Sequence, residues 1–136
     1  MPEASDQQLI KAAIDASRHA YIPYSNYRVG AALLTAGGAI YGGCNIESVS
    51  FTPTVCAERT ALFKAVSVGQ REFKAIAVVT RDAGSPCGVC RQMMYEFAPD
   101  LRVILADLDG NSRLVTTLRE LLPHGFGPAH LDENKS

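Results

Sequence analysis

The octet Phe73 to Thr80, FKAIAVVT, carries apolar side chains at almost every position. It lacks the alternation of a half-wet strand and has the pattern of a strand buried on both faces. A strand of that kind needs cover on both sides of its sheet, and the flanking segments offer it. Ser5 and Gln8 are spaced as a capping box, and Leu9, Ile10, Ala13, Ile14, Ala16 and Ala20 recur at helical spacing. A first helix is therefore expected after Ser5, ending before Pro23. Val29 to Thr35 and Ala39 to Tyr41, split by Gly37-Gly38, have the pattern of a β-hairpin. A second helix is expected over about Cys56 to Val68. A third is expected to start at Ser85-Pro86, a capping residue followed by proline at the first helical position. Arg102 to Ala106 is a further strand, Asp109-Gly110 a turn, and Thr117 to Leu122 a short helix. The order α-β-β-α-β-α-β, then one more strand and a helix, predicts a three-layer α/β/α sandwich around a mixed sheet of about five strands. Residues 1–136 are expected to form a single domain.

Composition limits what such a sandwich can serve. Apolar residues make up 47% of the 136 and charged residues 20%, as in globular proteins. The formal net charge of −1 supplies no field that would gather a polyanion, so a nucleic-acid partner is not expected. No stretch approaches the roughly 20 apolar residues of a membrane helix. The opening MPEASDQQLIKAA lacks the basic-then-apolar order of a secretory signal. A cytoplasmic protein is expected, and there grouped cysteines bind metal more often than they form disulfides.

Two segments carry the chemistry. In Ser85-Pro86-Cys87-Gly88-Val89-Cys90 the two cysteines fall in the first turn of a helix, with their sulfurs able to converge. The positive end of the helix dipole favours thiolates, the metal-binding form. Cys56-Ala57-Glu58-Arg59 opens another helix and offers a third thiolate. Three cysteine ligands, Cys56, Cys87 and Cys90, leave a tetrahedral zinc with one open position, the mark of a catalytic site. Glu58 stands two residues past Cys56, within reach of a water at that position and unsuited to be a fourth ligand. Cys44 is a candidate fourth ligand, but at a strand end it is more often a small buried residue.

The combination CAE and PCxxC is the thiolate form of the zinc-deaminase signature. With Tyr24-Ser25-Asn26-Tyr27, Gly30-Ala31-Ala32-Leu33, Gly43-Cys44-Asn45-Ile46-Glu47, Ser85 to Gln92 and Phe126-Gly127-Pro128, all in order, the chain resembles the small homotetrameric cytidine deaminases from about Tyr21 to Leu131. That resemblance implies one Zn²⁺ per subunit and a nucleoside substrate, cytidine or 2′-deoxycytidine. It further implies attack of a zinc-bound hydroxide on C4, with Glu58 as base and then acid. Arg59 is implied as a hydrogen-bond donor to a ligand sulfur that tunes the charge of the metal site. Asn45 and Glu47, two apart and on one side of an extended segment, are implied as ribose ligands. Tyr27, at a position commonly phenylalanine in the family, and Phe126 are implied to flank the pyrimidine. Phe126 would reach a neighbouring subunit's site, so active sites would be completed across a homotetramer.

Phe51-Thr52-Pro53-Thr54-Val55 departs from the family, whose members often read Tyr-Gly-Leu-Thr-Ile there. The added bulk is expected to reshape the pocket near the base. It motivates an alternative of the same fold, acting on an N4-substituted or antibiotic cytosine nucleoside. A non-catalytic zinc-stabilised module and a dithiol redox protein are the readings outside hydrolysis; neither needs Glu58. His19, His124 and His130 have no ligand-like spacing to the cysteines.

Overall fold

The computed structural model describes residues 4–131. Its elements are α1 (Asp6–Ser17), β1 (Gly30–Thr35), β2 (Ile40–Cys44), α2 (Ala57–Ser67), β3 (Phe73–Thr80), α3 (Gly88–Phe97), β4 (Arg102–Asp107), β5 (Ser112–Thr117) and α4 (Leu118–Leu121), with a 3₁₀ turn at Pro128–His130. The strands form one sheet in the order β2-β1-β3-β4-β5. Only β3 and β4 are parallel; the other pairs are antiparallel. The sheet is thus mixed and five-stranded, as expected.

The octet is the middle strand. Ile76 and Val78 pack into a core shared with α2 and α3, whereas Ala75, Ala77 and Val79 face Leu9, Ile10 and Ala13 of α1. This alternation divides the protein into three layers. On the α1 side, Ala32, Ala75, Ala77 and Ala106 keep much of the strand surface low under Leu9, Ile10 and Ala13. At Gly30 a Cβ would fall 2.0 Å from the Ala13 carbonyl oxygen, so no larger residue fits there. The capping box is present: the Gln8 amide donates to Ser5 Oγ and the Ser5 amide donates to Gln8 Oε1.

Two details differ from expectation, and the expected extra strand gains its bounds. β2 runs on to Cys44, because its pairing with β1 continues to Gly30. The further strand, β5, occupies Ser112–Thr117 on the sheet edge, where its mostly exposed side chains left a weak pattern. The third helix starts at Gly88 rather than at Ser85-Pro86, and Cys87 is its cap, accepting from the Cys90 amide. Arg91 explains the shift. Its guanidinium donates to the Pro86 carbonyl at 2.7 Å, to Ser85 Oγ at 2.8 Å and to the Leu121 carbonyl at 2.6 Å. These bonds hold Ser85-Pro86 outside the helix.

On the other face, α2 rests on β2 almost without side chains between them. A Cβ at Gly43 would meet the Ala61 nitrogen at 2.5 Å and the Ala57 carbonyl oxygen at 2.6 Å, both backbone atoms. Gly43→Ala should therefore push α2 outward and lower stability by about 1–3 kcal/mol. Denaturant midpoints of the two proteins measure this, and an unchanged midpoint would show that the contact has slack.

Candidate active site

Cys56 and Cys87 occupy the same place on two helices: each is the N-cap residue, with extended backbone. Both helices start at the end of the sheet where β3 finishes, so their caps face one another. The Cys56 and Cys87 sulfurs are 3.7 Å apart and the Cys87 and Cys90 sulfurs 3.4 Å. All three lie within 4.8 Å of one another. A tetrahedral zinc with bonds of about 2.3 Å has sulfur–sulfur edges of about 3.8 Å, so the thiols are already spaced for it. Cys44 ends β2 half-buried, outside the cluster.

The electrostatics suit a bound cation. Cys56 is drawn down to about 5, chiefly by a hydrogen bond from the Cys90 thiol and also by the Arg59 guanidinium. Cys90 is pushed strongly upward, because it shares its proton with Cys56 and is desolvated. Crowded thiols thus compete for one negative charge, and a divalent cation would relieve that competition. Arg59 Nη2 donates to Cys56 Sγ at 3.5 Å. Its Nε is buried and has no partner, which leaves an uncompensated donor beside the thiols. Glu58 is 3% exposed, and burial raises its carboxyl to about 7, against the lowering pull of Arg59.

Cys56, Cys87 and Glu58 line a pocket of about 320 Å³, with Cys90 buried behind them. Tyr27, Asn45 and Glu47 line its walls, so three of the four expected substrate contacts share one cavity with Cys56, Cys87 and Glu58. Asn45 and Glu47 stand in an extended segment held on both sides, through the bridges Tyr21–Ile46 and Ile46–Val55. The Asn45 side chain is already engaged: Oδ1 accepts from the Val29 amide at 3.1 Å, and Nδ2 donates to the Tyr27 carbonyl at 2.8 Å. Glu47 accepts from the amides of Tyr24 and Ser25 and from Ser25 Oγ, which keeps its carboxyl below the usual range.

Phe126 is not in this pocket. It is 54% exposed and stacks on His130, with ring centroids 5.2 Å apart. Of the unusual loop, Thr54 and Val55 reach the pocket. Phe51, with φ of 62°, turns outward and meets Tyr24 edge-on. Its bulk thus falls on the rim rather than beside Glu58. Ser25, Thr80, Gly84 and Ser85 also line the pocket without having been singled out. Ser25 and Ser85 lie inside the quoted motifs and Thr80 ends the octet, but Gly84 belongs to the turn after it, which has no sequence signature.

Comparison with known proteins agrees with this geometry. Residues 3–106 match the family model described as the cytidine and deoxycytidylate deaminase zinc-binding region. The cytidine deaminase of Halalkalibacterium halodurans is 52% identical over 123 residues, 88% of this chain and 92% of that one. That of Sporosarcina psychrophila is 49% identical over 128 residues, covering 92% and 93% of the two chains. The crystal structure of cytidine deaminase from Burkholderia pseudomallei matches with a TM-score of 0.86 at 48% identity, over 90% of this chain and all of that one.

Replacing Arg59 by alanine should keep the fold but speed metal loss, since one sulfur loses its charged donor. Zinc release to a chromogenic chelator should quicken by about tenfold, the equivalent of one charge-assisted hydrogen bond. An unchanged release rate would remove Arg59 from the metal site.

Proposed function

The chain belongs to the cytidine and deoxycytidylate deaminase family, and from that premise we propose that its pocket converts cytidine and 2′-deoxycytidine to uridine and 2′-deoxyuridine, releasing ammonia. The observation that carries this reading is a buried carboxylate, Glu58, lining a pocket with polar walls together with Cys56 and Cys87 of the three-thiol cluster. Cys56, Cys87 and Cys90 would hold one zinc ion, which when bound supplies the Lewis acidity that brings the pKa of water toward about 7.

This chain's own residues then manage the protons. The Glu58 carboxylate accepts a proton from the attacking water as the new C4–O bond forms, and delivers it to ring N3. A second transfer through the same carboxylate moves the remaining proton of the new C4 hydroxyl to the exocyclic nitrogen, so that the C4 carbonyl forms, the C4–N bond breaks and ammonia leaves. A carboxyl raised to about 7 by burial gives up and takes back a proton at neutral pH with little penalty either way. The hydrogen bond from Arg59 to Cys56 and the two helix N-termini offset the charge of three thiolates.

The walls would receive the nucleoside. Glu47 and the unused donor and lone pair of Asn45 would meet ribose hydroxyls, while Tyr27 would flank the pyrimidine. Phe126, exposed and turned away from its own pocket, suits closure of a neighbouring subunit's site in a homotetramer. Residues 1–136 would act as one deaminase domain, in pyrimidine salvage in the cytoplasm. The free thiols of all four cysteines favour a reducing compartment. Among the described residues, no helix is long and apolar enough to cross a membrane.

The direct test follows the fall in cytidine absorbance on adding zinc-loaded protein. Turnover is expected, and Glu58→Ala should lower kcat by about 10²–10⁴-fold while zinc stays bound. A zinc-loaded parent without turnover would leave a binding module or a modified substrate. For the sugar site, Glu47→Gln should raise KM for cytidine far more than for free cytosine. Equal losses on the two substrates would take Glu47 away from the ribose.

A further inference from the structure

Tyr27 is restrained by groups that the proposed reaction leaves unused. Its hydroxyl donates to Asp82 Oδ1 at 2.5 Å. The same oxygen accepts from Thr80 Oγ1 at 3.0 Å, and Thr80 Oγ1 in turn accepts from the Gly84 amide at 2.7 Å. The Arg81 guanidinium covers one face of the ring, 4.9 Å from its centroid. Two backbone features show how closely the β3–α3 turn wraps the phenol. Ala83 sits at φ of 54°, a left-handed conformation that a residue with a Cβ adopts only when its surroundings hold it there. At Gly84 a Cβ would meet the Tyr27 hydroxyl at 2.9 Å. The same turn continues into Ser85 and Cys87.

An aromatic wall at a pocket mouth discriminates only when its rotamer is fixed. Here Arg81 takes one face and the Asp82 bond fixes the tilt, leaving the opposite face and edge for a ligand. The hydrogen bonds from Tyr27 and Thr80 also keep Asp82 ionised, and so a strong acceptor, at neutral pH.

We infer that Asp82 is a positioning residue for substrate: with Thr80 it holds the Tyr27 hydroxyl and so sets the ring against which the pyrimidine is placed. This rests on the reading of the pocket as a nucleoside site. A ring freed of that bond would bind ground state and transition state less well by a similar factor, so the loss should fall on KM.

Steady-state kinetics with cytidine on the zinc-loaded full-length protein test this. Asp82→Ala and Tyr27→Phe should each raise KM by about 3- to 10-fold, the worth of one hydrogen bond, with a much smaller change in kcat. The double variant should be no worse than either single one, because both remove the same bond. Asp82→Asn, which keeps an acceptor oxygen, should restore KM to near the parent value even if its melting temperature falls as in Asp82→Ala. An unmoved KM in Asp82→Ala, multiplied losses in the double variant, or an Asn variant as impaired as the Ala one would each overturn the inference. A parent that leaves cytidine unchanged would overturn the cytidine reading and this inference with it. An active parent with an indifferent Asp82→Ala would overturn the inference alone.

Discussion

The constraint on which the rest of the structure depends is the meeting of two helix N-termini at one end of the sheet. Thiols ionise readily there, since each helix brings partial positive charge and unpaired amides. Bringing two such ends within reach of one ion requires both helices to be held against drift. For α2 the holding contact is backbone on backbone, at Gly43. Thr60 adds a hydrogen bond from its hydroxyl to the Cys44 carbonyl at 2.9 Å. For α3 it is Arg91, whose single guanidinium joins the approach to the helix with the end of α4. Gly43 and Arg91 hold the helices through backbone atoms, while the caps of those helices carry the sulfurs spaced 3.4 and 3.7 Å apart.

Crowding thiols is unfavourable by itself, and the site shows where the imbalance sits. One sulfur is pulled toward the thiolate and another is pushed the opposite way. Arg59 offers one of its nitrogens to Cys56 and keeps a second buried without a partner. A buried donor without an acceptor costs about 1–3 kcal/mol unless something nearby carries compensating charge. Three thiolates on a divalent cation provide that charge, a net −1 beside the guanidinium. The polar strain in the cluster is thus of the kind that a soft cation removes.

How much of this was legible in the sequence depended on whether a feature is written in neighbouring residues. The doubly buried octet, the capping box and the CAE and PCxxC spacings are local, and each maps onto a structural element. The start of α3 was misplaced because Ser85-Pro86 has good local cap chemistry, and the side chain that overrides it, Arg91, acts from within the helix. β5 left a faint trace, since an edge strand with two exposed faces loses the alternation that marks a half-buried one. The contact between Tyr27 and Asp82 spans 55 residues, and its Asp82 end lies in no motif. Phe126 was singled out by resemblance alone, and in the structure it stacks on His130 outside the pocket that Tyr27 lines.

Asn45 shows how the wall and the proposed ligand share the same atoms. A carboxamide has two donor hydrogens and two acceptor lone pairs, and the protein uses one of each to tie Val29 and Tyr27 together. What remains points from a side chain that is already immobile. Glu47 follows the same logic, with three donors from Tyr24 and Ser25 fixing its carboxylate before any ligand arrives. Ligand groups that pair with such atoms have little side-chain entropy to overcome, because folding has already ordered them. A ligand lacking the matching hydroxyls leaves the same atoms desolvated and unpaired, which is how a rigid polar wall separates a nucleoside from a free base more sharply than an apolar one.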